Sequence, residues 1–383
     1  MKFPKFSFSN EWKELKKFEN LSESKRAIVF YAENKASMNH FRLLINELTE
    51  KEGIEICYVT SVKDDPIFSS NNQNILSFYI GDGVVRTKFF LTLKAKILIM
   101  DMPDLDTFHI KRSKMFPVHY VYIFHSMYSI HSYLRKNAID NYDTIFCVGP
   151  HHVKEILQTE KVYGLKSKKL INYGFGRLDT LLQEKENFKK LKNVSDNLVL
   201  ITPSYGENNL LEICGEKLIE VLLEANLKVV LRPHFRIIKD SPELINKLIK
   251  KFDKNENFIL EKSIIPKEIF HSSTCLISDW SGISLEYAFT FERPVVFIDV
   301  PKKILNPDFG DIELEPIEIS IRDKVGKVFS TDDLENIPEF IQNLGQNREL
   351  TAEKIKKIRS ETVYNIGEST KIGVEYIKQL NNK

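Results

Sequence analysis

Short runs that are apolar throughout alternate along this chain with segments whose apolar residues recur every three or four positions. In the first half the apolar runs fall at 27–31, 54–60, 75–80, 97–101, 120–124 and 144–148. Between them, residues 38–48 place Phe41, Leu44, Ile45 and Leu48 on one helical face, and a second helix starts at 152 behind Gly149-Pro150. A second series follows, with strands predicted at 198–202, 228–232, 258–261, 275–278 and 294–299. Helices are predicted at 210–223, 242–252, 265–270 and 283–289. Residues 352–380 read as a helical tail that is polar on one side. Strands rich in Val and Ile, apolar on both sides and separated by helices, indicate parallel sheets covered on both faces.

The pattern divides the chain. Residues 1–25 form an N-terminal amphipathic segment, 26–183 a first Rossmann-like domain, 194–345 a second, and 350–383 a helical tail. The lysine-rich stretch 184–193 lies between the two domains. A length of 383 residues agrees with two domains of about 100–200 residues each. No fixed-period repeat is present, which excludes a solenoid. The expected fold class is α/β, with two doubly wound domains facing a central cleft. Ligands of open α/β sheets bind beyond the carboxyl ends of the strands, so chemistry is sought there.

Composition narrows the classes further. With 42% hydrophobic residues the chain can build real cores, which excludes intrinsic disorder. Lys and Arg number 55 against 53 Asp and Glu, so the basic excess of a nucleic-acid binder is missing. The four cysteines stand far apart without a C-x-x-C pair, which argues against a disulfide scaffold or a structural zinc site and for a reducing, cytoplasmic compartment. No apolar run approaches the roughly 20 residues of a membrane span. Residues 1–18 interleave Phe3, Phe6, Phe8, Trp12, Leu15 and Phe18 with Lys2, Lys5, Lys13, Lys16 and Lys17. Such a mixture suits peripheral contact with an anionic membrane surface. Its alternative is a helix packed on the protein's own surface.

Five motifs sit at strand ends. His125, in Tyr122-Ile-Phe-His-Ser-Met127, closes an apolar strand, where its imidazole can take a proton from an attacking hydroxyl. The alternative is a satisfied structural histidine. His131 follows six residues later, which is not a metal-binding spacing. Arg232-Pro-His234 ends another strand and offers a cation and an imidazole to phosphate oxygens, or an Arg that pairs with a neighbouring helix. In Ser278-Asp-Trp-Ser-Gly-Ile-Ser-Leu-Glu286 a strand, a turn and a helix start follow one another. The helix N-terminus with Ser281 and Gly282 suits a diphosphate, and Glu286 suits ribose hydroxyls. Asp279 or Ser281 can instead simply cap the helix. In Tyr173-Gly-Phe-Gly-Arg177-Leu-Asp179, Arg177 and Asp179 are expected to pair at the interdomain hinge. Thr202-Pro203-Ser204-Tyr205 ends the first strand of the second domain and is expected to line the base or phosphate pocket.

In order and spacing, over about residues 118–300, this set resembles the CDP-glycerol glycerophosphotransferase family of teichoic acid and capsule primases and polymerases. The resemblance implies a GT-B fold and peripheral membrane association. It implies that His125 is the base, that His234 lies near the donor phosphates, that Ser281 holds the diphosphate, and that Glu286 is the acidic position in the following helix. The donor site so implied comprises Arg232, Asp279, Ser281, Gly282, Glu286, Thr202 and Pro203, with Arg177, Asp179 and His131 on the hinge and acceptor side. The expected reaction moves an alditol phosphate from a CDP-alditol donor to a hydroxyl of a glycan or glycolipid acceptor and releases CMP. No cofactor and no obligatory metal are expected. The chain departs from the family at three places. It has F-H-S-M-Y around the first histidine where the family has W-H-G-T-P, R-P-H-F where the family has R-P-H-P, and Gly282 for the second serine of the turn. These leave open a GT-B glycosyltransferase or a non-hydrolysing epimerase acting on a nucleotide-sugar.

Overall fold

The computed structural model describes residues 10–188, 197–262 and 267–382. Within these the chain folds as two compact units, each built on one parallel sheet. The first unit holds the chain up to Thr180 together with Asn306–Glu313 and the C-terminal stretch from Val363. The second holds Leu181–Leu305 and Leu314–Thr362.

The first sheet comprises β1 (Ile28–Ala32), β2 (Ile56–Thr60), β3 (Ile75–Tyr79), β4 (Ile97–Met100), β5 (His119–Ile123), β6 (Thr144–Cys147) and β7 (Lys169–Asn172). Their spatial order is β3-β2-β1-β4-β5-β6-β7, and every pairing is parallel. β1, β2, β4 and β6 are buried at every position, which explains their unbroken apolar sequence. The order reverses between β1 and β4, so the loops after these strands diverge and leave a crevice at their carboxyl ends.

The second sheet comprises β8 (Leu198–Thr202), β9 (Lys228–Leu231), β10 (Phe258–Leu260), β11 (Cys275–Ser278), β12 (Val295–Asp299) and β13 (Gly326–Ser330). Its order is β10-β9-β8-β11-β12-β13, again wholly parallel, with the reversal between β8 and β11.

Two expectations are corrected, and the N-terminal helix follows the second of its two readings at Leu15 and Phe18. The tail predicted over 350–383 is divided: Arg348–Thr362 lies in the second unit, whereas Ser369–Asn381 completes the core of the first. Val374 and Ile377 are buried there beside Leu44, Phe146 and Tyr173. Gly373 allows this close approach, since a Cβ on it would lie 2.8 Å from the Tyr173 ring. The helix predicted over 210–223 breaks at Cys214 into Leu210–Ile213 and Gly215–Glu224. In the N-terminal helix Asn10–Glu19, Leu15 and Phe18 are buried in the protein's own core, with the Phe18 ring 5.6 Å from Phe78 and 5.3 Å from Phe89. These two side chains are therefore not available to a membrane. Phe3, Phe6 and Phe8 lie outside the described residues, as do residues 189–193 of the lysine-rich stretch.

Among the described residues no helix is long and apolar enough to cross a membrane, and no cluster of His, Cys, Asp and Glu could hold a metal ion. The four cysteines are buried thiols.

Candidate active site

In the first unit, His125 stands in the loop after β5, beside the reversal point. Its Nδ1 lies 3.2 Å from the carbonyl oxygen of Asp101, which follows β4. A carbonyl only accepts, so Nδ1 carries the proton and the lone pair of the neutral ring sits on Nε2. Burial lowers the basicity of His125, which keeps it neutral and able to accept a proton. The Asp101 loop is itself anchored, since the Ser37 hydroxyl after β1 donates to Asp101 Oδ1 at 3.0 Å. The His125 loop is held from the other side by the helix Pro150–Tyr163. Glu155 Oε2 accepts from the Ile130 amide at 2.6 Å, and His151 and His152 bond the carbonyls of Met127 and Tyr128, each at 2.9 Å.

A second histidine, His40, shares this corner. Its ring centroid is 6.3 Å from that of His125, and its Nδ1 is shielded from solvent without a hydrogen-bond partner. Burial, followed by the fields of His125 and Arg177, lowers its pKa to about 3. The predicted pairing of Arg177 with Asp179 is not what the Asp179 carboxylate serves. It accepts from the amides of Gly367 and Ser369 at 2.7 and 3.2 Å and from the Ser369 hydroxyl, and so pins the C-terminal segment of the unit. His131 is also structural. It is buried, 3.1 Å from Glu155, stacked on Phe309 at 5.3 Å, and its carbonyl accepts from Asn306.

In the second unit, the loops after β9, β8, β11 and β12 bring the remaining predicted residues to one end of the sheet. Asp279 bridges the reversal point. Its carboxylate accepts from the Ser204 amide at 2.6 Å, the Ser204 hydroxyl at 3.0 Å and the Leu210 amide at 3.0 Å. Only 1% exposed and accepting three hydrogen bonds, Asp279 holds the two loops together. Thr202 and Pro203 are likewise buried beneath the loop. Ser281 and Gly282 are partly exposed immediately before the helix Ile283–Phe291, and Glu286 is partly exposed in its first turn. The hydroxyls of Thr202 and Ser284 are buried without a hydrogen-bond partner.

His234 follows β9 and Arg232. Its Nδ1 accepts from the Arg236 amide at 3.2 Å, so the proton of the neutral ring sits on Nε2. Burial, followed by the fields of Lys303, Arg236 and Arg232, lowers its pKa to about 4. His234 is thus a neutral hydrogen-bond donor in a field of cations, the reverse of His125. Sequence reading missed Lys303, Arg236 and the part played by Tyr205. The His234 ring centroid lies 4.7 Å from that of Tyr205, and Lys303 Nζ lies 3.6 Å from the same ring. Only the fold brings these loops together, although the two lysines after β12 were visible as a basic pair.

Two parallel doubly wound sheets, each carrying polar side chains at its reversal point, are the architecture of the GT-B class. The profile of the family CDP-Glycerol:Poly(glycerophosphate) glycerophosphotransferase matches residues 15–303, well over half of the chain. The chain belongs to this family. No curated protein sequence matches it. Among solved structures, a variant of the wall teichoic acid polymerase TagF is 13% identical, with a TM-score of 0.62 over 97% of this chain and 94% of that one. The UDP-GlcNAc 2-epimerase of Methanocaldococcus jannaschii, in complex with UDP-GlcNAc and UDP, is 14% identical, with a TM-score of 0.56 over 93% and 99%. That of Neisseria meningitidis, bound to UDP-GlcNAc, is 15% identical, with a TM-score of 0.57 over 92% and 99%. These likenesses bear out the GT-B expectation.

Proposed function

We propose that the enzyme transfers glycerol phosphate, or a related alditol phosphate, from its CDP-activated form to a hydroxyl of a glycan or glycolipid acceptor. The product belongs to a teichoic acid or capsule-type surface polymer. The observation that carries this reading is the family match over residues 15–303; the two neutral histidines take opposite tautomers, one offering a lone pair and the other an N–H. The acceptor hydroxyl lies at His125 Nε2, which takes its proton. Its oxygen attacks the phosphorus distal to cytidine, a new phosphorus–oxygen bond forms, and the bond to the CMP oxygen breaks. His234 Nε2–H and the Arg232 guanidinium stabilise charge on the phosphoryl oxygens, which are hydrogen-bond acceptors only. Ser281, Gly282 and the amides of the following helix receive the diphosphate, and Glu286 receives the ribose. This route calls for no cofactor, and turnover is expected to survive a chelator. Peripheral membrane attachment through the N-terminal segment 1–18 would bring the enzyme to a lipid-linked acceptor.

The epimerase likenesses favour a second reading, a GT-B enzyme acting on a UDP-sugar. Thermal shift with CMP, CDP, CDP-glycerol, CDP-ribitol, UDP and UDP-GlcNAc separates the two. A ligand at 100 times its Kd adds about 2.7 kcal/mol to stability. Stabilisation by the cytidine compounds, with CMP released from CDP-glycerol on adding acceptor, is expected. Stabilisation by the uridine compounds alone would overturn the proposal and promote sugar chemistry.

A further inference from the structure

The second unit carries a group of cations that the motifs do not include. Lys303 reaches from the loop after β12 to the loop after β8, where its Nζ donates to the Tyr205 carbonyl and lies 3.6 Å from the Tyr205 ring centroid. The Arg236 guanidinium stands 4.8 Å from the same ring, and the His234 imidazole 4.7 Å from it. Gly206, with φ of +93°, makes the tight turn that follows Tyr205, and a Cβ there would come 3.9 Å from Lys303 Nζ. No described carboxylate forms an ion pair with Lys303 or Arg236. The carboxylate whose field does reach Lys303, that of Asp279, is committed to Ser204 and Leu210.

Crowding like charges around one partly buried ring is unfavourable unless an anion joins them. Lys303 registers this cost, since burial lowers its pKa, with the field of Arg236 acting in the same direction. The anion must accept hydrogen bonds from an ammonium, a guanidinium and the His234 Nε2–H at once. A diphosphate, with several acceptor oxygens and at least two negative charges, meets that demand better than a single carboxylate.

We propose that Lys303 and Arg236, arranged on Tyr205, form a cationic cradle for the diphosphate of a nucleoside-diphosphate donor. Lys303 neutralises the phosphate that leaves with the nucleoside. The cradle rests on the donor site proposed above and adds to it two residues that no motif contains. Tyr205 acts as a positioning residue, holding both cations through its π face and carbonyl.

The test measures binding to the full-length chain by titration calorimetry, with CDP, UDP and phosphate-free cytidine as probes. Lys303→Met and Arg236→Met are each expected to weaken CDP at least tenfold and to leave cytidine unchanged. Lys303→Arg is expected to recover part of the loss. Wild-type affinity for CDP in both Met variants would overturn the cradle. Arg236 is exposed, so its variant stays informative even if Lys303→Met folds poorly. Should the wild type bind UDP and not CDP, the cytidine reading fails, and tenfold loss of UDP in the Met variants would still support the cradle. Binding of neither nucleotide would overturn both.

Discussion

His125 Nδ1–H donates a hydrogen bond to the carbonyl of Asp101, while His234 Nδ1 accepts one from the amide of Arg236. Asp101 is far from its histidine in sequence and Arg236 only two residues on, yet each decides what its histidine can do. Replacing His125 by Gln is expected to lower turnover about 10²–10⁴-fold, the usual worth of a general base, and to leave CDP affinity as it is. CMP release and calorimetry read the two quantities separately, and equal loss in both would deny it the role of base. Asp101 offers a pH test. Burial raises its carboxyl pKa from 3.8 to about 7, against the opposing bond from Ser37. The folded state then keeps a proton that the unfolded chain releases above pH 3.8, so this group lowers stability as pH rises from about 4 to 7. Asp101→Asn keeps an acceptor for Ser37 and removes the titration. Its stability relative to wild type is expected to grow through that window by up to about 1.4 kcal/mol per pH unit. Denaturation at pH 4, 5.5 and 7 measures the trend, and a constant difference would deny the shift.

At the scale of elements, the central strands were legible because both their faces are buried and their sequences are correspondingly apolar. The edge strands β7 and β13 were not. β7 reads Lys-Leu-Ile-Asn and leaves its two ends exposed, so it lacks that signature. β13 begins at Gly326, whose position depends on a neighbour. A Cβ there would lie 1.8 Å from the Val295 carbonyl oxygen, inside the strand with which it pairs. Gly326→Ala must therefore push β13 away from β12. We expect it to destabilise the second unit by about 1–3 kcal/mol, as overpacking usually does, and urea unfolding followed through Trp280, a fluorophore of that unit, should show it. An unchanged midpoint would mean that the edge yields freely. The helix predicted over 210–223 failed for a local reason, because Cys214 takes φ −142° and ψ 7° and ends one helical run before the next begins.

For the molecule as a whole, the chain's last helix belongs to the first sheet's core. Periodicity revealed a helix there but not its destination. Removal of residues 363–383 would strip Val374 and Ile377 from contact with Leu44 and Phe146 and release Asp179 from Ser369. Two buried aliphatic side chains are worth about 1.5–3 kcal/mol each, a large share of a marginal stability. The truncated chain is expected to aggregate on expression, whereas ending the chain after Asn381 should leave the melting temperature unchanged. Soluble, folded protein from the shorter form would show that the helix is dispensable.

Hydrophobic periodicity alone determined the two α/β halves, the parallel sheets and the loops in which chemistry had to lie, because these follow from which residues must leave water. The order of the motifs was enough to suggest the family. Tertiary structure decided which polar side chains face a ligand and which hold the frame. Asp279, Asp179 and His131 are of types that read as functional, yet each is consumed by partners distant in sequence. Lys303 and Arg236 belong to no motif, yet they meet at Tyr205, where separate strands end. Burial is set by averages over short windows and can be read from them, whereas a hydrogen bond depends on a few ångströms between segments that only the folded chain brings together.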